Sequence, residues 1–109
     1  MPFKRALSET FKHKVVVNIA NEKGGYDQND FIGIFQRTPS SELDELRTLK
    51  TDELVRRKLV GWQMTDADSK EPVPFSTDEL ETLMQITTVP LAIWVAFWDG
   101  VNGQKQKNF

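Results

Sequence analysis

The chain contains few residues whose type and spacing could support catalysis or metal binding. His13 is the only histidine and cysteine is absent, which excludes disulfides, thiolate metal ligands and a cysteine nucleophile. A catalytic histidine normally needs a partner group of matching chemistry, and His13 lies among lysines near the start of a predicted strand. We therefore predict that His13 is a surface residue.

Two loops contain parts of ligand-binding motifs. Asp66 and Asp68 are spaced like the first ligands of a calcium loop. However, Glu71 stands where that loop requires glycine, and Thr77 where it requires the closing glutamate. The segment 22–25, Glu-Lys-Gly-Gly, lacks the spacing of a phosphate-binding loop and does not lead into a helix. We expect a hairpin turn at 22–25, and neither a bound metal nor a cofactor.

Paired carboxylates offer the remaining route to acid–base chemistry. The pairs are Asp44 with Glu45, Asp52 with Glu53, and Asp78 with Glu79. All three lie at the start of predicted helices, where the helix dipole accounts for them. Acid–base catalysis would need carboxylates with perturbed pKa values in a cleft, and no cleft is indicated. We expect a protein without enzymatic activity, and a small enzyme or regulator remains the alternative from another class.

Composition and charge limit the partners. The chain has 109 residues, 39% hydrophobic and 28% charged, which suits one globular domain. Its formal net charge is −2 and its lysines and arginines are scattered, so we expect no nucleic-acid partner. The longest apolar run, 91–98, is too short to cross a bilayer, and the N-terminus lacks the apolar region of a signal peptide. We expect a cytoplasmic protein with no membrane contact.

The hydrophobic patterning predicts an α+β fold: an N-terminal β-hairpin followed by three to four helices in a single domain. The β-branched segment 14–19 and the apolar segment 30–37 indicate the two strands. Capping residues and leucine spacing indicate the helices. The first is predicted to run from a cap at Ser40 or Ser41 to about residue 50, and the others lie at 52–60, capped by Thr51, at 77–85, and at 90–100. The first two helices are either continuous or kinked. We expect a loosely ordered arm at 1–11, the domain at 12–101 and a disordered tail at 102–109. Phe3, Leu7 and Phe11 in the arm could form one helical turn or remain flexible.

Two stretches give strong signals for helix ends. Ser76 and Glu79 form the pattern of a capping box, with Phe75 before it as one half of a hydrophobic staple. Gly61 is expected to end the second helix as a C-cap, with Trp62 folding back over that helix. We interpret these five residues as a structural motif.

The aromatic residues are the candidates for a binding surface. Trp94 and Trp98 are four residues apart and therefore share one face of the last helix, while Phe97 lies on another face. Phe31 and Phe35 lie on a predicted strand that is apolar on both faces. These five aromatics are either core or, because tryptophan and phenylalanine contribute strongly to interfaces, a protein-binding surface.

The order of these motifs resembles the tail assembly chaperones of long-tailed bacteriophages. The similar features are Leu-Val-Gly-Trp at 59–62, an acidic loop, Pro-Val-Pro-Phe-Ser at 72–76, a capped helix and a final aromatic-rich helix. The N-terminal valine-rich strand, glycine-containing turn and second strand are similar as well. The resemblance covers about 15–97, and its motifs are short.

The resemblance implies a protein that binds others and uses no nucleotide. Members of that family are thought to coat the tape measure protein before the tail tube polymerises and then to give way to tail tube subunits. It therefore implies the tape measure protein and the tail tube protein as partners, together with self-association. The alternative is a small structural protein of the tail or virion that is retained in the finished particle.

Overall fold

The computed structural model describes residues 2–103, which form a three-stranded antiparallel sheet and four α-helices. This confirms the predicted α+β class and the N-terminal hairpin. The elements in chain order are β1 (Thr10–Ala20), β2 (Tyr26–Gln36), α1 (Leu43–Thr48), α2 (Thr51–Lys58), β3 (Leu59–Gln63), α3 (Thr77–Met84) and α4 (Val89–Val101). A short 3₁₀ turn, Ser40–Glu42, precedes α1.

The hairpin is longer than its apolar residues predict. β1 and β2 pair without interruption from Thr10 opposite Gln36 to Ala20 opposite Tyr26. The turn between them is closed by Asn21, whose side-chain oxygen accepts hydrogen bonds from the amides of residues 23 and 25, both at 3.0 Å. Gly24 adopts a φ of 85°, which glycine reaches without steric cost. The prediction of a hairpin turn at 22–25 is confirmed.

The third strand contradicts the expectation for Gly61 and Trp62. The second helix ends at Lys58, and both residues lie in β3, which pairs with β2. Gly61 is not in the left-handed conformation of a C-cap; instead it faces Ile34, where an added Cβ would meet the isoleucine side chain at 3.4 Å. The open edge of β2 offers backbone hydrogen bonds that override the local helix-ending signal.

The middle helices are separate and are not capped as predicted. The chain is extended at Leu49 and Lys50, which divides α1 from α2. The N-cap of α2 is Lys50 rather than Thr51, and the Glu53 carboxylate accepts a hydrogen bond from the Lys50 amide at 2.9 Å. The 3₁₀ turn begins after Pro39, with no side-chain cap from Ser40 or Ser41. At α2 an early acidic residue therefore takes the place of the expected hydroxyl cap, whereas α1 has no side-chain cap.

The last two helices begin as their sequence predicts. The Ser76 hydroxyl accepts a hydrogen bond from the Glu79 amide at 3.0 Å, so this cap is confirmed. The reciprocal bond from the Ser76 amide to the Glu79 carboxylate is not formed. Pro90 occupies the first turn of α4, where its missing N–H would have no helical partner. Local chemistry within one turn fixes both starts.

The core lies between one face of the sheet and the helices. Odd-numbered residues of β1 and β2 point to this face, and α4 lies along it with Gly100 next to the ring of Phe11. The buried apolar residues are Val15, Val17, Phe31, Phe35, Leu46, Leu54, Val55, Leu59, Trp62, Leu80, Met84, Val89, Ile93, Ala96 and Phe97. Every helix contributes to one continuous cluster.

Three arginine and lysine residues of α2 make ionic contacts with neighbouring elements, and one of them, Arg57, bonds Glu45 of α1 at 3.1 Å. Arg56 donates hydrogen bonds to both oxygens of Glu81 on α3, at 2.8 and 2.9 Å, and to Asp52 at 2.9 Å. These bonds lower the pKa of the Glu81 and Asp52 carboxyls below their ordinary values. Lys58, only 3% exposed, donates a hydrogen bond of 2.8 Å to Glu42.

The two ends of the chain differ from the expected boundaries. Thr10 and Phe11 belong to β1, so the arm is shorter than predicted. Residues 2–9 are exposed and contain neither helix nor strand, which contradicts the helical-turn alternative. Residues 102 and 103 form a turn after α4, and the rest of the predicted disordered tail lies outside the described residues.

Candidate protein-binding surface

Three of the five predicted interface aromatics belong to the core. Phe35 and Phe97 are fully buried, with ring centroids 5.7 Å apart, and Phe11 packs on both. Phe31 is buried against Trp62 at 6.0 Å. The rings of Phe35 and Phe97 hold the sheet to α4 and have no exposed surface for a partner while the domain is folded, whereas Phe31 keeps 8% of its surface exposed. For them the structure favours the core alternative over the interface.

The two tryptophans of α4 are partly buried. Trp94 and Trp98 lie edge to face, with centroids 6.2 Å apart, as their spacing of four residues predicts. Trp98 also contacts Phe97, and the Arg47 guanidinium of α1 lies 5.8 Å from its ring centre. The Trp98 indole nitrogen is buried without a hydrogen-bond partner among residues 2–103. This face of α4 therefore serves mainly to pack against the other helices.

The exposed apolar stripe of α4 lies elsewhere. Leu91 is 58% exposed and Val95 is 41% exposed, and they are one helical turn apart. Asp99 continues the same stripe after a further four residues. Sequence reasoning missed Leu91 and Val95 because the helix is apolar all round. Asp99 is polar and lies four residues after Val95, so its position in the sequence could have identified the outward face of α4.

A groove runs between this stripe and β1. It has a volume of about 290 Å³. Its apolar wall consists of Val16, Leu91, Ala92, Val95 and Ala96, and its polar lining of His13, Lys14, Asn18, Thr88 and Asp99. His13 is half-buried rather than fully at the surface, and its Nδ1 lies 2.9 Å from the Lys14 carbonyl oxygen. The groove is mainly apolar, with polar groups at its ends.

The floor of the groove follows an open sheet edge. The sheet order is β1–β2–β3, so no strand in the described part of the chain pairs with the outer edge of β1. Hydrogen bonds from Arg37 to Glu9 and from Asn21 to Gly25 show that odd-numbered residues of β1 bond to β2. The even-numbered residues, including Val16 and Asn18, consequently turn their backbone groups outward. Such an edge can accept another strand or peptide.

The predicted structural motif assembles around β3. The Trp62 indole donates a hydrogen bond of 2.8 Å to the Val73 carbonyl, and its ring meets Phe75 edge to face at 4.7 Å. Ser76 then starts α3. Gly61 lets β3 approach Ile34 closely. The structure thus brings these motif residues together, with Trp62 fastening the loop before α3 rather than covering the end of α2.

The acidic loop forms a turn. The Asp66 carboxylate accepts hydrogen bonds from the amides of Asp68, at 2.8 Å, and Ser69, at 3.2 Å, and these bonds lower the pKa of Asp66. Residues 65 and 72 form a β-bridge across the turn. Within residues 2–103, no group of three or more histidine, aspartate or glutamate side chains is arranged to hold a metal ion.

The comparisons with known proteins find no relative. No protein-family model, no curated protein and no solved structure matches the chain. In the described part of the sequence, no single helix is long and apolar enough to span a membrane. α3 and α4 meet that criterion only as a pair, bent by 112°.

Proposed function

We propose that this protein is a phage tail assembly chaperone that binds the tape measure protein and helps to recruit tail tube subunits in the cytoplasm of the host bacterium. The observation that carries the proposal is the apolar stripe formed by Leu91 and Val95 beside the open edge of β1. A stripe of exposed apolar residues next to a groove suits the binding of an amphipathic helix, which is the form expected of a long tape measure protein.

The order of motifs in the sequence supports the same function. Trp62, Phe75 and Ser76 carry the resemblance to tail assembly chaperones, and they pack together into one unit. That unit sets the start of α3, and α4 follows α3 after a short connection. The residues that carry the resemblance and the exposed apolar stripe lie in different parts of one fold. Both favour a protein that binds other proteins.

The proposed contact is of a size that a binding experiment can resolve. Fully burying a leucine or valine side chain contributes about 1.5–3 kcal/mol. Because roughly half of each side chain is still exposed, Leu91 and Val95 together should contribute about 2 kcal/mol. That corresponds to a loss of affinity of roughly 30-fold when both are replaced by serine.

The test is co-expression with the tape measure protein encoded at the same locus. We expect the parent chain to keep the tape measure protein soluble and to co-purify with it in many copies. The variant Leu91→Ser/Val95→Ser should lose most of that association. Val60→Ser is the matched control, because Val60 is 44% exposed but lies on β3, away from the groove.

Two results would contradict the proposal. An insoluble tape measure protein with no association would remove the chaperone function and favour the alternative, a structural protein retained in the particle. Finding the chain in purified virions would then establish that alternative. Equal binding by the parent, the double variant and the Val60→Ser control would place the contact away from α4.

A further inference from the structure

A second groove lies on the core side of the sheet, near the tip of the hairpin. It has a volume of about 340 Å³ and is enclosed by the sheet, the loop before α3, α3 itself and the start of α4. Its apolar lining consists of Val17, Ile19, Phe31, Met64, Ala67, Val73, Leu83, Ile86 and Val89. We refer to it as the tip groove.

The tip groove exists because the sheet is longer than the helix that covers it. β1 and β2 have 11 residues each, about 36 Å of strand, whereas the 13 residues of α4 extend about 20 Å. With Gly100 next to Phe11, α4 begins near Val17 and leaves the rest of the hairpin without helical cover. Apolar core-face residues such as Ile19 are therefore only partly buried.

The rim of the tip groove is acidic. Asp66, Asp68 and Glu79 line it, and no lysine, arginine or histidine does. Asp30 also borders the groove, but its side chain pairs with Lys14, an even-numbered residue on the opposite face of the sheet. The charge of Lys70, which does not line the groove, helps to lower the pKa of Asp66. An apolar floor with carboxylates around it fits a segment that is both apolar and cationic.

The chain carries such a segment at its other end. Residues 3–7 read Phe-Lys-Arg-Ala-Leu, with two basic and two large apolar side chains. Phe3 and Leu7 are strongly exposed. The base of this arm is fixed, since Arg37 donates a hydrogen bond of 2.8 Å to the Ser8 carbonyl and its amide donates another to Glu9.

The arm cannot reach the tip groove of its own molecule. From the anchored Ser8 back to Phe3, an extended chain spans at most about 18 Å. The floor of the groove begins at Val17, about 23 Å beyond Thr10 along β1. The two sites are therefore at opposite ends of the hairpin and out of contact within one chain.

We propose that the N-terminal arm of one copy docks in the tip groove of a second copy. Phe3 and Leu7 bury their side chains on the apolar floor, and Lys4 and Arg5 meet the carboxylates of the rim. Because donor and acceptor sites are different surfaces at opposite ends of the molecule, the contact is heterologous and joins copies head to tail into an open chain. This inference does not depend on the proposed function.

The test is the oligomeric state of the full chain, measured by analytical ultracentrifugation over a range of protein concentrations. We expect association of the parent that weakens as salt rises, because exposed charges are screened. Phe3→Ser/Leu7→Ser should weaken association by about tenfold or more, since it removes two apolar anchors. Lys4→Glu/Arg5→Glu should weaken it by about fivefold or more.

These variants leave the fold intact, because residues 3–7 lie outside the core cluster. An unchanged urea midpoint checks this for each variant. On the groove side, Asp68→Lys should weaken association, and combining it with Lys4→Glu/Arg5→Glu should restore part of it. Glu71→Lys is the control, since Glu71 belongs to the same acidic loop but does not line the groove.

A synthetic peptide of residues 2–8 provides a direct measurement. We expect a fluorescently labelled peptide to bind the Phe3→Ser/Leu7→Ser protein, and to bind Asp68→Lys/Phe3→Ser/Leu7→Ser less well. A parent that stays monomeric with no peptide binding would overturn the proposal. Association that survives both arm variants would also overturn it, as would equal effects of Asp68→Lys and Glu71→Lys.

Discussion

The buried contact between Lys58 and Glu42 should couple the 3₁₀ turn energetically to α2. Lys58 is 3% exposed and its ammonium group lies 2.8 Å from the Glu42 carboxylate. Replacing Glu42 by alanine leaves the lysine charge buried beside Arg57, which is itself engaged with Glu45 at 3.1 Å. The substitution therefore measures how far the free energy of unfolding falls when a buried lysine loses its charged partner.

The expected cost follows from the burial of the two partners. Breaking a fully buried ion pair by removing one partner costs about 3–5 kcal/mol. Glu42 is 26% exposed, so water reaches the site, and we expect Glu42→Ala to lower the free energy of unfolding by about 2–3 kcal/mol. Lys58→Met retains the apolar stem and removes the charge. In a protein that already carries Lys58→Met, adding Glu42→Ala should cause little further loss in the free energy of unfolding. The coupling energy between the two residues is therefore expected to be about 2 kcal/mol.

Equilibrium unfolding in urea, followed by the fluorescence of the three tryptophans, measures all four members of this cycle. The melting temperature of Glu42→Ala should fall by about 10 °C. Asp44→Ala is the control, because it removes an exposed partner of Arg47 in the first turn of α1 and should cost no more than about 0.5 kcal/mol. Costs of Glu42→Ala and Lys58→Met that simply add, without coupling, would refute the reasoning.

Three other substitutions test the packing and electrostatics. Gly100→Ala should lower the free energy of unfolding by about 1 kcal/mol, measured in urea, because the clash of the new Cβ with Phe11 costs more than the gain in helix propensity returns. A variant more stable than the parent would contradict this packing. Trp62→Phe should cost about 1–3 kcal/mol by leaving a loop carbonyl without its donor, and a loss below about 0.5 kcal/mol would show that water replaces the bond. Arg56 lowers the pKa of the Glu81 carboxyl below its ordinary value. The contact therefore stabilises the fold fully at a pH above the ordinary pKa, and that stabilisation is lost as the pH falls through the lowered pKa. The fall in stability from about pH 5 to about pH 3 should therefore be smaller in Glu81→Gln than in the parent, and identical profiles would exclude this contribution.

Features that depend on neighbours within one turn of chain were predictable from the sequence. The glycine-containing turn after β1, the Ser76 cap and the first turn of α4, which contains Pro90, each depend on side chains within about four residues. The capping of α1 and α2 was predicted less well. At the start of α2, the carboxylate of Glu53, rather than the expected hydroxyl of Thr51, accepts a hydrogen bond from a backbone amide, that of Lys50.

β3 was missed because a strand of five residues is defined by its partner. Its segment contains Gly61 directly after a predicted helix, and the local signal is that of a helix end. Only the pairing with β2 makes it a strand, and its partner residues lie nearly thirty positions earlier in the chain. Because of this pairing, Trp62 does not cover the end of α2 as predicted. Its indole instead donates a hydrogen bond to the loop before α3.

For the candidate binding surface, the sequence determined that α4 is apolar and aromatic, but not which of its faces is exposed. The outward face of an amphipathic helix can be identified from the spacing of its apolar and polar residues, whereas the sequence of a helix that is apolar all round does not identify it. Packing against β1, β2 and α2 buried Phe97 and left Leu91 and Val95 exposed. The sequence by itself determined the α+β class, the hairpin and the local helix starts, because these depend on short-range chemistry. The tertiary structure alone decided β3 and both grooves, because these depend on contacts between segments far apart in the chain.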